Sequence, residues 1–323
     1  GTKAIGWFIE EYGIAQVSMN VTDISVTPVH IAFDEVCAKA QARGIRVTGA
    51  EIVGLIPKKV LIDAGKYYLT KQQRSLGISE SEIIKIAVKS MGLDDLKPFD
   101  PKEKVIEYLM EDDSAAKLVK MTCEGFARET ASESPAPGGG SISAYMGALG
   151  AALGTMVANL SSHKPGWDAR WNEFSIWAEK GQILMEKMLH LVDEDTAAFN
   201  KIMDALGMPK ESEAEKLARV EALQAATIYA TQVPLQTMEV AISGFELVYE
   251  MACKGNPNSV SDAGVGALAL WSAVQGAFLN VKINASGIKD RTIAEDILAK
   301  ADKIAAESDI LRDKVLTQVN TII

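Results

Sequence analysis

Residues Ser134–Ser162 read SPAPGGGSISAYMGALGAALGTMVANLSS, without one Asp, Glu, Lys or Arg, directly after a segment crowded with charge. Small residues recur there at four-residue spacing. Gly140, Ala144, Ala148 and Ala152 form one row, and Ser143, Gly147 and Ala151 form another. That spacing puts each row on one face of a helix, and a face of Gly, Ala and Ser lets a neighbouring backbone approach closely. The stretch is long enough to span a bilayer. It holds few Leu, Ile, Val or Phe, however, and Asn159 and two serines close it. A phosphate loop fits no better, because Gly138-Gly139-Gly140-Ser141 lacks the Lys such a loop needs and no strand precedes it. The best reading is the central helix of a tight bundle. Its three leading glycines are either a plain turn or a set of bare N–H groups for an anion such as a carboxylate.

The surroundings extend this reading. After about Met110 no strand pattern occurs, and helices are expected over about 114–131, 139–161, 166–205, 212–252, 258–282 and 291–321. Short connections between six helices imply an antiparallel bundle. Pro234 should kink the fourth of them by removing one hydrogen bond. A second low-charge stretch, GNPNSVSDAGVGALALWSAVQGAFLNV, runs from Gly255 to Val281 with Asp262 as its only charge. Ser259 or Ser261 would cap its helix. Asp262 is either a first-turn acid paired with the helix dipole or a carboxylate at a pocket mouth. The GVGALA within it imitates a dinucleotide fingerprint but follows no strand.

Residues 1–110 carry a different pattern, so the expected fold class is α+β. A small two-layer α/β unit with a mixed sheet precedes an all-α bundle over 114–323. AIGWFIEE and IAQVSMNV are two short strands around a hairpin at Tyr12-Gly13, and IRVTGAEIV is a third strand. Helices begin at Pro28, ending near Gly44, and at Pro57, ending near Leu69. Another begins at Ser79, where Ser79-x-x-Glu82 reads as a capping box and Gly92 as the stop. DPKEKVIEYLM is ambiguous between helix and strand. The chain opens on GTKAIGWFIEEYG, without Met and already strand-like, and is read as lacking its natural start.

The chain has 323 residues, which suggests two domains of about 150 each. A net charge of -10 argues against a broad nucleic-acid surface, which would need net basic faces. Cys37, Cys123 and Cys253 form no CxxC pair, so a disulfide framework or zinc site is not expected and a reducing cytoplasm is. His30, His163 and His190 show no metal-ligand spacing; no metal is expected. His163 and His190 read as surface or structural residues.

Asp195 stands out on pattern alone. Leu184, Met188, Leu191, Val192, Ala198, Phe199 and Ile202 follow helical spacing, and Asp195 sits four after Leu191 and four before Phe199, on the apolar stripe. Its neighbours Asp193 and Glu194 fall toward Glu186, Lys187 and His190, a face that reads as solvated. A carboxylate on a core face is costly unless paired or used. Asp195 is therefore a buried interhelical partner, an active-site acid or base, or a pairing group at a dimer interface.

Three segments resemble formimidoyltetrahydrofolate cyclodeaminase, in matching order and spacing: SPAPGGGSISAYMGALGAALGTMV, LVDEDTAAFNKIM and GNPNSVSDAGVGALALWSAVQGAFLNVKIN. Upstream, AIGWFIEEYGIAQVSMNVTDISVTPVH, VTGAEIVGLIPKKVLIDAG and LKPFDPKEKVIEYLM are similar to the C-terminal subdomain of glutamate formimidoyltransferase. The whole chain thus looks like the bifunctional formimidoyltransferase–cyclodeaminase family of histidine breakdown. The resemblance implies a cytoplasmic, homo-oligomeric enzyme, at least a dimer, that takes folate as substrate carrier. It maps the family's proposed catalytic aspartate onto Asp195 and a folate site onto Gly138, Gly139, Gly140 and Ser141, with Asn256 and Asp262 as further contacts. Nothing here matches the transferase's first subdomain, which carries its catalytic histidine. The resemblance therefore implies a cyclodeaminase with half a transferase attached and leaves transferase activity of this chain open, and His30 is not read as that histidine. A methenyltetrahydrofolate cyclohydrolase on the same bundle and a non-catalytic assembly module are the competing readings.

Overall fold

The structure is a computed structural model that describes residues 1–11, 13–110 and 117–323. The chain divides into two compact units, Gly1–Asp113 and Ser114–Ile323.

In the first unit, β1 (Thr2–Ile9) and β2 (Ile14–Val21) pair antiparallel, with Thr2 opposite Val21 and Ile9 opposite Ile14. Tyr12 of the expected hairpin turn lies outside the described residues. Gly13 has φ +63°, a left-handed conformation that glycine adopts without steric cost. The strand expected over 45–53 does not form, and the sheet is two-stranded and antiparallel rather than mixed. An alternating segment becomes a strand only with an edge to pair with. Within 45–53 the Ala50 N–H donates to the Gly92 carbonyl of a turn rather than to a strand, and the one parallel bridge lies just beyond the segment, Ile56 with Val105, where the Ile56 N–H donates to the Lys104 carbonyl and the Ile106 N–H to the Ile56 carbonyl.

That bridge also resolves DPKEKVIEYLM. Its two halves are the short helices α4 (Pro101–Lys104) and α5 (Ile106–Leu109), with Val105 extended between them. Earlier in the unit, α1 (Val29–Gln41) and α2 (Lys58–Lys71) each follow a proline, and α3 (Glu80–Ser90) follows Ser79. Only half of the expected capping box is present. Ser79 Oγ accepts the Glu82 N–H at 3.3 Å, while the Glu82 carboxylate turns to Lys85. Asp34 ties α1 to α2 by accepting from Tyr67, Tyr68 and Lys71. His30 packs its ring against Tyr67 at a tilt of 34° in this cluster, and burial pushes its pKa down.

Among the described residues, the second unit holds helices and no strand. The helix expected over 114–131 is broken. Residues 111–116 lie outside the described residues, a 3-10 turn covers Leu118–Lys120, and α6 (Cys123–Thr130) starts afresh under a Thr122 cap. Then come α7 (Gly139–Ser162), α8 (Trp171–Gly207), α9 (Glu213–Lys254), α10 (Val260–Ala285) and α11 (Arg291–Asn320). Pro234 leaves the Ala230 carbonyl without its intrahelical donor, and the Asn284 side chain of α10 donates to that carbonyl at 2.7 Å. The helix continues through the proline. Ser259 stands before α10 without a side-chain cap bond; Asn256 instead accepts the Asn258 N–H in the preceding turn.

The core lies among α7, α8, α9 and α10, around Phe174, Met188, Met238, Phe245, Leu247 and Leu270. Close approach is what the small residues of α7 provide. A Cβ on Gly150 would lie 2.9 Å from the Gly266 carbonyl of α10, and one on Gly154 would lie 2.8 Å from Leu247 of α9. By length and composition, α7 and the Pro257–Ala285 segment could cross a membrane, with mean hydropathies of 1.4 and 1.3. Their inner faces are packed against protein in this bundle.

Candidate active site

Asp195 sits about two-thirds of the way along α8, where Met188, Leu191, Val192 and Ala198 are buried as the stripe requires. Its side chain meets the N-terminus of α7. The Ser141 hydroxyl, itself fully buried, donates to Asp195 Oδ2 at 2.8 Å. Burial is the largest influence on the carboxyl and raises its pKa; the Ser141 hydroxyl and backbone N–H both pull it back down. The N-cap of α7 is Gly138, which has no side chain to satisfy the first-turn N–H groups. Asp195 supplies that acceptor from another helix, at the positive end of the α7 dipole.

Gly140 makes this seat possible. A Cβ there would stand 2.0 Å from Asp195 Oδ1 and 2.5 Å from its Cγ, so any side chain would displace the carboxylate. At Gly139 a Cβ would stand 3.3 Å from Asn280 Nδ2 of α10. Asn280 therefore borders the glycine head, and sequence reasoning missed it. Its signal was available as a polar side chain inside an otherwise apolar run. Thr196, the next residue after Asp195, has a buried hydroxyl without a hydrogen-bond partner among the described residues.

The solvated face expected for Asp193 and Glu194 is corrected by the geometry. Asp193 accepts the Leu118 N–H at 2.8 Å, and Glu194 accepts the Tyr229 hydroxyl of α9, which raises the tyrosine's pKa. Three consecutive acids thus serve three different partners. His190 and His163 are exposed, as expected. Among the described residues, no three His, Cys, Asp or Glu side chains gather as a metal site.

These features sit within a recognisable sequence. A family model described as Formiminotransferase-cyclodeaminase matches residues 122–303, and one described as Formiminotransferase domain matches residues 1–111. The chain belongs to the formiminotransferase-cyclodeaminase family. Formimidoyltransferase-cyclodeaminase of Gallus gallus is 36% identical over 308 residues, 95% of this chain and 57% of that protein, so the chain spans little more than half that relative's length. Methenyltetrahydrofolate cyclohydrolase of Methylorubrum extorquens is 36% identical over 200 residues, 62% of this chain and 96% of that protein. The crystal structure of formiminotetrahydrofolate cyclodeaminase from Thermotoga maritima superposes with a TM-score of 0.57 at 27% identity, covering 64% of this chain and 99% of that one.

In this family member the expected site residues divide into two groups. Gly138, Gly139, Gly140, Ser141 and Asp195 come together at the start of α7. Asn256 and Asp262 lie at its far end. The Asn256 N–H donates to Ser161 Oγ, and Ser161 is twenty residues from Ser141, about 30 Å along a helix rising ~1.5 Å per residue. Asp262 is in the first turn of α10, at that same end. Asn256 lines an open cavity of about 850 Å³ there, beside Thr155, Met156 and Gln182. The chain therefore does not bring these two residues to Asp195.

Proposed function

We propose that the chain closes 5-formimidoyltetrahydrofolate to 5,10-methenyltetrahydrofolate with release of ammonia, in the breakdown of histidine. The observation that carries this reading is one carboxylate, Asp195, held on the α7 N-terminus by Ser141 in a half-buried seat. In the reaction, folate N10 attacks the carbon of the protonated formimidoyl group. The N10–H proton must leave, and the departing nitrogen must gain one to become ammonia. Asp195 takes the first and returns it as the second, so no proton is lost to water and the single positive charge passes from amidinium to methenyl product. A carboxylate in a low-dielectric seat also stabilises both cations. The uncharged α7 keeps the slot dry, and Gly138–Gly140 leave its backbone N–H groups open to carbonyls or carboxylates of the folate. Tetrahydrofolate is the carrier of the reacting group, and the chemistry asks for no metal.

The likeness to a cyclohydrolase over 96% of that relative's length supports a second reading, in which water opens the methenyl ring at the same seat. Offering both substrates separates them. Near-ultraviolet absorbance of methenyl-folate should grow from 5-formimidoyltetrahydrofolate with the parent protein and only slowly with Asp195→Asn. Loss of that absorbance from added methenyl-folate, with none formed from the formimidoyl compound, would replace the first reading by the second. No transferase step is assigned to residues 1–111. A cytoplasmic home suits three free cysteines, two of them exposed, and a homo-oligomer of at least two chains completes the proposal.

A further inference from the structure

Two asparagines stand one turn apart on α10, and the fold uses them differently. Asn284 donates to the Ala230 carbonyl that Pro234 leaves without its helical donor, so its carboxamide repairs a defect in α9. Asn280 has no such task. Its Nδ2 donates at 2.9 Å to the Gly276 carbonyl of its own helix, which in a regular helix already accepts the Asn280 backbone N–H. The second bond fixes the direction of the carboxamide and adds little to the fold. Asparagine in a helix interior is otherwise less favourable than Ala or Leu.

Glycines bring this carboxamide to the site. The helices α7 and α10 run antiparallel in contact, with Gly150 against Gly266, Ser143 against Gly276, and Gly139 against Asn280. Gly276 has no room for a Cβ beside Ser143, so the two helices are close there. One turn further along α10, Asn280 Nδ2 comes within 3.3 Å and Oδ1 within 3.7 Å of the empty Cβ position of Gly139. At the next residue, Gly140, the Asp195 carboxylate takes the corresponding position. A carboxamide and a carboxylate therefore flank the start of α7 on successive residues, about 100° apart around the helix. Asn280 is half-buried, and its Oδ1 accepts no hydrogen bond among the described residues.

We infer that Asn280 Oδ1 accepts a hydrogen bond from the nitrogen that leaves as ammonia, and so selects the formimidoyl group and orients it for ring closure. The inference deepens the proposed reaction and rests on it. The formimidoyl nitrogen is a donor at every stage. It is =NH2+ in the bound amidinium, –NH2 once N10 has added to the carbon, and –NH3+ as the C–N bond breaks. A carboxamide oxygen matches a donor in each state. It is too weak a base to take the proton, so proton transfer stays with Asp195. Its hydrogen bond is strongest to a cationic donor. After N10 has added, the form with the proton on the leaving nitrogen goes forward, and the form with the proton on N10 reverts. Asn280 favours the first. A formyl group carries oxygen in place of this nitrogen, an acceptor that gains nothing from Oδ1.

The test compares two ligands and two asparagines. Methenyl-folate formation from 5-formimidoyltetrahydrofolate gives kcat/KM. Equilibrium dialysis gives the affinity for 5-formyltetrahydrofolate, whose carbonyl oxygen replaces the donating nitrogen. Asn280→Leu keeps the volume and removes the acceptor. It should lower kcat/KM by about 10- to 100-fold, the worth of a hydrogen bond to a charged partner, while the affinity for the formyl compound stays within about threefold of the parent's. Asn284→Leu should lower Tm and leave kcat/KM per folded molecule near the parent's. An active parent with an indifferent Asn280→Leu overturns the inference alone. So do equal losses toward both ligands, or equal losses per folded molecule from the two asparagine variants, since either marks Asn280 as a packing residue. No product from the parent overturns the proposed reaction and the inference with it. Should Asn280→Leu misfold, Asn280→Ser, too short to reach Gly139, is judged by the same two measurements.

Discussion

Gly140→Ala tests the site with a single methyl group. The added Cβ would stand 2.0 Å from Asp195 Oδ1, 2.5 Å from Cγ and 2.8 Å from Oδ2. An ordinary contact is about 3.5 Å, so the carboxylate must retreat by roughly 1.5 Å or the α7 terminus must lift. Misplacing a reacting group by about 1 Å costs ~100-fold in rate. The stability terms oppose one another. Overpacking costs about 1–3 kcal/mol, while Ala is favoured over Gly in a helix by up to ~1 kcal/mol. A large loss of kcat is therefore expected with a small change in Tm. The assay is methenyl-folate formation at saturating substrate, beside a thermal melt. Two neighbours calibrate it. Gly139→Ala meets only the tip of Asn280 at 3.3 Å, and Gly138→Ala meets the Pro135 carbonyl at 3.8 Å, an ordinary distance. The losses should fall in the order 140, 139, 138. Activity of Gly140→Ala within threefold of the parent, or equal losses at all three positions, would refute the placement of Asp195 as the reacting carboxylate.

Further substitutions separate the roles of individual groups. Ser141→Ala removes the hydroxyl that holds the Asp195 pKa down, so the pKa rises further and the acidic limb of the kcat/KM profile moves to higher pH; a limb that stays in place would detach this carboxylate from catalysis. Asp195→Asn should lower kcat by ~10²–10⁴. Because burial raises the folded-state pKa of Asp195, its charge costs the parent nothing below the unfolded value of about 4. The cost grows as pH rises through the folded value and is complete above it. The variant's Tm should therefore gain on the parent's as pH rises above about 4; a variant less stable than the parent throughout would mark Asp195 as primarily a helix cap. Gly181→Ala, whose Cβ would lie 2.0 Å from Thr155 Oγ1, should destabilise by about 1–3 kcal/mol in a denaturant titration while activity per folded molecule is unchanged. Gly139→Leu should raise the folate KM more than it lowers stability, and an unchanged KM would remove the glycine head from the substrate's path.

Much of the bundle was legible because its signals are local. The uncharged run predicted α7 to within a residue, and the Gly and Ser rows correctly implied close neighbours. Segments that depend on a distant partner were less legible. The alternating run over 45–53 looks like a strand whether or not another edge is available, and only the fold reveals that its Ala50 N–H goes to the Gly92 carbonyl of a turn while Val105 bridges Ile56, beyond the run. Pro234 illustrates the same limit. Its lost hydrogen bond is predictable, but its replacement by Asn284, fifty residues on, is not.

The site divides along the same line. Asp195 could be found because one acid on an apolar stripe needs a reason to be there, and the reason lies on the adjacent helix. Its neighbours were misread because a helix turns about 100° per residue, which sends Asp193, Glu194 and Asp195 to three separate partners, none of them visible in the run itself. Asn256 and Asp262 were expected at the site as further folate contacts implied by the resemblance, within a matched stretch that runs from Gly255 to Asn284. Antiparallel packing reverses that expectation. The beginning of α10 lies beside the later half of α7, so Asn256 is carried about 30 Å away, while the late residue Asn280 reaches the glycine head. Membership in a motif therefore locates a helix pair, and the direction of packing decides which end of the motif can touch the substrate.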